Sequence, residues 1–73
     1  MEEESVKEYR RHIGRRLMVQ LPECTLDGTL VEAAGETLTL ERATWIAGDG
    51  GKRRPVDGLV MVERRRIEWL QVL

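Results

Sequence analysis

The sequence contains few of the residues that make covalent cross-links, metal sites or catalytic pairs. Its 73 residues include one cysteine, Cys24, one histidine, His12, and no phenylalanine. We therefore predict no disulfide within the chain, no Cys/His zinc site and no Cys–His catalytic pair. No paired carboxylates and no Ser/His/Asp set stand at a spacing that favours catalysis. The sequence predicts a protein that is not an enzyme and that holds no metal and no cofactor.

The chain also has little material for a hydrophobic core. A chain of 73 residues buries only about 60% of the surface that it exposes when unfolded. Domains this small usually depend on disulfides, a bound metal, oligomerisation or an unusually well-packed core. Because disulfides and metals are excluded, oligomerisation is the most available remaining source of stability. We predict one domain, residues 1–73, that assembles with further copies of itself.

Long apolar runs and an excess of one charge are also missing. No apolar run approaches the ~20 residues of a membrane span, and the acidic residues 2–4 are unlike a signal peptide, so we predict a cytoplasmic protein with no membrane partner. Twelve basic and thirteen acidic residues nearly cancel, which removes a bulk electrostatic argument for nucleic acid. The few aromatic residues provide few platforms for base stacking.

The first residues have the signature of a short helix. Ser5 and Glu8 stand at the spacing of a capping box, in which each side chain accepts a hydrogen bond from the backbone at the other residue. Gly14 is typical of the position just after a helix ends. These signals predict a helix over about residues 5–12.

From residue 15 onward the pattern changes to that of β-strands. Leu17, Val19 and Leu21 alternate with Arg16, Met18 and Gln20. This alternation is typical of a strand with one buried face. Gly28, inside the second strand, predicts a bulge. The further strands are predicted at residues 25–33, 37–41, 56–62 and 67–73, with a mobile glycine-rich loop at 47–55. A helix and five short consecutive strands predict a mainly β fold, a small, strongly bent antiparallel barrel over residues 15–73.

These elements resemble the two sequence motifs of Sm and LSm proteins over about residues 6–72. The first motif is matched by Ile13, Gly14, Leu17, Val19, Leu21, Gly28, Leu30, Leu38 and Leu40. The second is matched by residues 59–62 and by Ile67, Glu68, Trp69 and Leu70. The short length and residues 11–16 also resemble small Sm-like proteins encoded by bacteriophages of actinobacteria.

The resemblance implies a five-stranded, SH3-like barrel that assembles into a ring. In Sm proteins the fourth strand of one subunit pairs with the fifth strand of its neighbour, and rings usually contain six or seven subunits. Such pairing would satisfy the open strand edges that a bent sheet leaves. We predict Trp69 to be a core or interface residue rather than a stacking platform. The candidate interface residues are Val60, Val62, Ile67, Trp69 and Val72.

The residues that bind uridine in Sm proteins are poorly matched. The family's Asp and Asn between the second and third strands correspond to Ala34 and Thr37. Its Arg-Gly after the fourth strand corresponds to Glu63 and Arg64, so that Arg64 could replace the family's arginine only with a shift of one residue. The resemblance therefore implies that the usual uridine pocket is absent.

Basic residues form three clusters, each of which has two interpretations. In the bacterial Sm homologue Hfq, a basic run at the helix end contacts RNA, and a ring would repeat such a run several times. The alternatives are a solvated helix end paired with glutamates, a disordered loop, and arginines that pair with glutamates such as Glu63 and Glu68 between subunits. The candidate RNA-binding residues are Arg10, Arg11, Arg15, Arg16, Lys52, Arg53, Arg54, Arg64, Arg65 and Arg66.

Two functions remain open from the sequence. The first is an Sm-like homo-oligomeric ring that binds RNA through repeated basic patches, without the usual uridine pocket. The second is a structural or adaptor ring that binds a phage or host protein, for example during bacteriophage assembly, and does not bind RNA. A phage-encoded chain would act in the cytoplasm of the bacterial host cell.

Overall fold

A short helix precedes the sheet. The structure, a computed structural model, describes residues 7–73. Residues 7–10 are helical (α1), and the chain then turns as far as Gly14, whose φ of +93° suits glycine. The helix, predicted to run to about residue 12, ends at residue 10, and Gly14 closes the turn that follows it. Ser5 of the predicted capping box lies outside the described residues.

Over residues 7–73 the helix is followed by five strands that form one antiparallel sheet. The strand order is β4-β3-β2-β1-β5, so that β4 and β5 are the two edges. The predicted antiparallel order is confirmed, but β4 and β5 do not pair with each other and the sheet stays open. The strands are β1 (Arg16–Gln20), β2 (Cys24–Ala34), β3 (Thr37–Ala47), β4 (Arg53–Glu63) and β5 (Trp69–Val72).

The predicted bulge at Gly28 is confirmed. The register between β2 and β3 shifts on either side of Gly28, where the sheet bends. A Cβ atom added to Gly28 would lie 3.2 Å from the Cα of Ala43 and 3.2 Å from the carbonyl oxygen of Glu41. Glycine is therefore required here by the close approach of two backbones.

The third and fourth strands are longer than the sequence pattern predicts. Residues 37–41 were expected to form the whole of β3, which in fact continues to Ala47. The predicted loop over residues 47–55 is wrong at its end, because Arg53 and Arg54 pair with β3 and lie within β4. A bulge lets the hairpin bend and continue: Arg42 in β3 has a φ of +52°, and Gly58 in β4 has a φ of +80°.

One face of the sheet covers the hydrophobic core. The predicted alternation in β1 is confirmed, since Leu17 and Val19 are fully buried and Leu21 is nearly so. Half-buried apolar residues of α1, β4 and β5 pack around this core. The largest fully buried side chains are Leu17, Leu30, Leu38, Leu40 and Val19.

The fifth strand begins later than predicted. Arg64–Arg66 form a 3-10 helix between β4 and β5, and β5 starts at Trp69 rather than at Ile67. The side chain of Trp69 is 51% exposed, so that it does not belong to the core of one chain. Its predicted alternative, a place between subunits, stays a prediction.

Candidate nucleic-acid interface and edge strands

The edge strand β4 carries apolar side chains on both faces. Residues directly opposite each other in an antiparallel pair lie on the same face of the sheet. Val60 lies opposite the buried Leu40 and therefore faces the core. Leu59 and Met61 lie on the other face and are 63% and 71% exposed. This edge therefore presents apolar surface outside the core of its own chain.

The other edge strand, β5, has the same arrangement. Leu70 and Val72 lie opposite Val19 and Leu17 of β1, on the core face, and are half-buried. Trp69 lies on the outer face, where half of its side chain is exposed. Both edges thus have aliphatic residues on the inner face and large apolar residues on the outer face.

The five predicted interface residues are not equally available to a partner. Val60, Ile67 and Val72 are half-buried against the core, and Trp69 is exposed. Val62 is only 5% exposed and is already enclosed by its own chain, so that its backbone alone remains at the edge.

Sequence reasoning missed the two most exposed apolar residues of β4. Leu59 and Met61 belong to the unbroken apolar run of residues 59–62. A strand with one solvated face alternates apolar and polar residues, whereas an unbroken run is typical of a strand buried on both faces. That run was the signal that β4 carries apolar side chains on both faces.

Four of the ten candidate RNA-binding residues are arginines that pair with carboxylates of the same chain. Arg16 donates two hydrogen bonds to Asp27, one of them 2.7 Å long from Nε to Oδ1. Of residues 64–66, Arg65 and Arg66 pair with glutamates within the chain, while the predicted pairing between subunits, including that with Glu68, stays a prediction. The remaining pairs are Arg11–Glu8 at 4.0 Å, Arg65–Glu63 at 3.3 Å and Arg66–Glu23 at 2.5 Å.

Three further arginines are held by backbone carbonyls instead. Arg10 donates from Nε to the Ala33 oxygen at 3.0 Å, and Arg15 donates from Nη2 to the Leu73 oxygen at 3.1 Å. Arg64 donates from Nη1 to the Gly35 oxygen at 2.5 Å. A carbonyl orients a guanidinium group without neutralising it, so these three side chains keep their full positive charge.

The last three candidates lie at the far end of the β3–β4 hairpin. Lys52, Arg53 and Arg54 are exposed, and among residues 7–73 none of them has a carboxylate within 4.0 Å. The positive charge that has no carboxylate partner within residues 7–73 therefore lies at both ends of the sheet.

At one of these ends, cationic and aromatic groups converge on the tight turn between β2 and β3. The guanidinium of Arg64 lies 5.4 Å from the centre of the Tyr9 ring, within the range of a cation–π contact. Arg64 also donates its backbone N–H to the Glu36 oxygen at 2.7 Å, which ties the end of β4 to the turn. We call Tyr9, Arg10, Glu36, Arg64 and Arg65 the turn cluster.

The turn cluster forms a small open cleft. Tyr9, Glu36, Arg64 and Arg65 line a space of about 210 Å³. The Nε of Arg64 is buried and has no hydrogen-bond partner among the described residues. Sequence reasoning did not identify Tyr9 and Glu36 as site residues, because no sequence pattern links the helix to the turn between β2 and β3.

The positions that correspond to the family's uridine pocket surround the same turn. Ala34 ends β2, and Thr37 begins β3 directly opposite Glu63. Ala34 and Thr37 lack the carboxylate and the amide found in the family. Arg64 alone supplies a matching chemical group, because the backbone geometry brings its guanidinium onto Gly35.

No group of three or more His, Cys, Asp or Glu side chains within residues 7–73 is placed to hold a metal ion. None of the helices in this part of the chain is long and apolar enough to cross a membrane.

Comparison with solved structures defines the fold family. A heptameric archaeal Sm protein aligns with 92% of this chain and 97% of its own, with a TM-score of 0.76 and 20% identity. The SmAP1 heptamer of P. aerophilum aligns with 97% of this chain and 90% of its own, with a TM-score of 0.74 and 19% identity. The chain belongs to the Sm-like fold family.

A second kind of neighbour is more similar in sequence to this Sm-like chain. A chain of the NatC complex bound to Gag peptide and CoA is 30% identical, with a TM-score of 0.73. The match covers 85% of the Sm-like chain and 86% of that chain. No protein-family model and no curated protein sequence matches the Sm-like chain. The narrower resemblances to Hfq and to phage proteins stay predictions.

Proposed function

We propose that the Sm-like chain forms a ring of six or seven copies that binds single-stranded RNA. The ring would form by adding β5 of one copy to β4 of the next as an antiparallel pair. Both edges carry aliphatic side chains on the inner face and large apolar side chains on the outer face. One antiparallel register places Val60 opposite Leu70 on the inner face and Met61 opposite Trp69 on the outer face, with Leu59 opposite Gln71. The heptameric assemblies of two structural neighbours support this proposal.

The chemistry of β4 selects the half of the strand that accepts a neighbour. Residues 53–55, Arg-Arg-Pro, are of the kind that blunts a sheet edge, because charges and a missing N–H oppose further pairing. Gly58, with its positive φ, bends the strand after this part. The apolar residues 59–62 follow the bend and match the four residues of β5 in length.

The turn cluster carries the RNA proposal. Within residues 7–73, Arg10 and Arg64 pair with no carboxylate, and they are oriented by the carbonyls of Ala33, at the end of β2, and of Gly35, in the turn. Tyr9 adds a ring against which Arg64 lies, and a layer of this kind stacks well on an unpaired base. A ring would repeat the turn cluster in every subunit, so that weak single contacts add up to a useful affinity.

The test is RNA binding as a function of salt. Fluorescence anisotropy with oligo-U, oligo-A and mixed-sequence RNA should show affinity that falls steeply as salt rises. Similar affinity for the three RNAs is expected because the uridine pocket residues are missing. A plot of log affinity against log salt has a negative slope. Changing Arg10→Gln together with Arg64→Gln should make this slope shallower by about 1.4 for each engaged subunit.

A matched control removes the same charge elsewhere. Arg11→Gln with Arg66→Gln also removes two positive charges, but from side chains that already pair with Glu8 and Glu23. This variant should keep most of the wild-type salt slope. Equal slopes for the two double variants, with both folded by circular dichroism, would overturn the assignment to the turn cluster. No binding of any RNA at micromolar protein and low salt would end the RNA proposal.

The second candidate function is an adaptor ring that binds protein. Four of the candidate arginines are neutralised within the chain, and the neighbours with the higher sequence identity are chains of a protein complex, NatC. An intact ring that fails to bind RNA in the experiment above would favour this function.

A further inference from the structure

A second surface with uncompensated charge lies at the other end of the sheet from the turn cluster. Trp45 of β3 stands directly opposite Arg54 of β4, and the guanidinium carbon lies 5.9 Å from the centre of the indole ring. Arg53 precedes Arg54 in β4, so that its side chain projects from the other face of this edge strand, and Lys52 precedes it in the turn. We call Trp45, Lys52, Arg53 and Arg54 the hairpin-end surface.

Two acidic groups lie near this surface. Asp49, in the same turn, accepts the backbone N–H of Gly51 at 2.8 Å. Asp27, on the neighbouring β2, receives two hydrogen bonds from Arg16, and the charge of Arg53 also helps to lower its pKa. Within residues 7–73 no carboxylate lies within 4.0 Å of Lys52, Arg53 or Arg54, so the three cations remain open to an external anion.

The composition of this surface favours nucleic acid over an apolar protein partner. The large exposed apolar residues within 7–73 are Ile13, Leu59, Met61, Trp69 and Leu73, and none of them belongs to the hairpin-end surface. Cations beside a half-buried indole are the combination that holds phosphates and stacks unpaired bases.

We infer that the hairpin-end surface is a second contact for the same RNA strand that the turn cluster binds, an inference that rests on the proposed function. Lys52 and Arg53 contact phosphates, and a base stacks on the layer formed by Arg54 and Trp45. Thr37 lies next to the turn, and Trp45 follows it eight positions later along β3. At about 3.3 Å per residue this is at most ~26 Å, so that an extended strand crosses the sheet to reach both contacts.

The first test compares two double variants by their salt dependence. Arg53→Ala with Arg54→Ala should make the negative salt slope shallower by about 1.4 for each engaged subunit. Each phosphate contact to a single strand contributes about 0.7 to the steepness of this slope. The charge-matched control, Arg11→Ala with Arg66→Ala, should change it much less because those arginines are paired with carboxylates. Equal effects of the two variants would overturn the inference.

The second test uses the two tryptophans as separate reporters. Trp69→Phe leaves Trp45 as the only tryptophan, and its fluorescence should be quenched when RNA is added. Trp45→Phe leaves Trp69 on β5, where little quenching is expected. Each variant is titrated with a short RNA of about 4 nucleotides and a longer one of about 16 nucleotides, which span the range of site sizes for small single-strand-binding barrels.

The outcomes separate this inference from the proposed function. RNA that binds the wild type with no quenching of Trp45 and no effect of the Arg53/Arg54 variant would overturn the second contact and leave the turn cluster intact. No RNA binding by the wild type would reject the proposed function, and the second contact with it. Quenching confined to the longer RNA, together with the shallower salt slope, is the expected result.

Discussion

Arg16 and Asp27 form a two-point ion pair across β1 and β2. The carboxylate is nearly buried, with 8% of its side chain exposed, whereas 63% of the arginine side chain is exposed. The hydrogen bonds from Arg16 hold the pKa of Asp27 below its usual value, against the opposing effect of burial. The same carboxylate raises the pKa of Arg16. This pair removes Arg16 from the cations available to RNA.

The first prediction concerns acid unfolding. Because the pKa of Asp27 is lower in the folded chain than the value of about 3.9 in the unfolded chain, its contribution to stability is fully present above that value. The contribution is lost as the pH falls through the folded pKa. Asp27→Asn should be less stable near neutral pH and should lose less stability between about pH 6 and about pH 3. Urea unfolding at several pH values measures this difference, with Glu63→Gln, which removes an exposed carboxylate that pairs with Arg65, as the control.

The second prediction concerns the bend of the sheet. Gly28→Ala would place a Cβ 3.2 Å from two backbone atoms that cannot rotate away. We expect the free energy of unfolding to fall by about 1–3 kcal/mol, as for other overpacked sites. Gly51→Ala is the control, since its Cβ would meet only the flexible side chain of Asp49. Urea unfolding curves that shift equally for both variants would contradict the structural role of Gly28.

The third prediction concerns the ring. Met61→Lys places a charge on the outer face of the β4 edge, where the side chain is 71% exposed in one chain. The isolated fold should tolerate it, while the joint with β5 of a neighbour should not. Native mass spectrometry at micromolar concentration should show a ring for the wild type and smaller species for this variant. Ile13→Lys is the matched control, because Ile13 is also exposed but lies outside the edge strands. A monomeric wild type, or an unchanged mass for Met61→Lys, would contradict the proposed joint.

The fourth prediction concerns Cys24. Its thiol is free and buried, and burial raises its pKa, with Glu23 adding to the effect. Because the thiolate is the reactive form, alkylation of the native protein near neutral pH should be slow. The same protein in denaturant should react at the rate of an ordinary exposed cysteine, as followed by mass. Equal rates in the two states would show that Cys24 is open to solvent.

Local patterns predicted much of the fold. The alternation of Leu17, Val19 and Leu21 and the glycine at 28 predicted the first strand and the bulge correctly, whereas the helix ends at residue 10 rather than at about residue 12. The predicted strand boundaries were wrong where backbone pairing between strands overrides the local amino-acid composition. Arg53 and Arg54 look like loop residues beside three glycines, yet backbone pairing with Ile46 and Trp45 draws them into β4.

The candidate site was less predictable from the sequence. The sequence determined that positive charge lies in blocks and that residues 59–62 form an unbroken apolar run. It did not determine which arginines pair with a carboxylate, because a partner such as Glu23 lies far along the chain from Arg66. Only the tertiary structure sorted the arginines into paired and unpaired groups and brought Arg64 onto the Gly35 turn beside Tyr9. The physical reason is that strand order and register, which depend on long-range backbone hydrogen bonds, decide which charges meet.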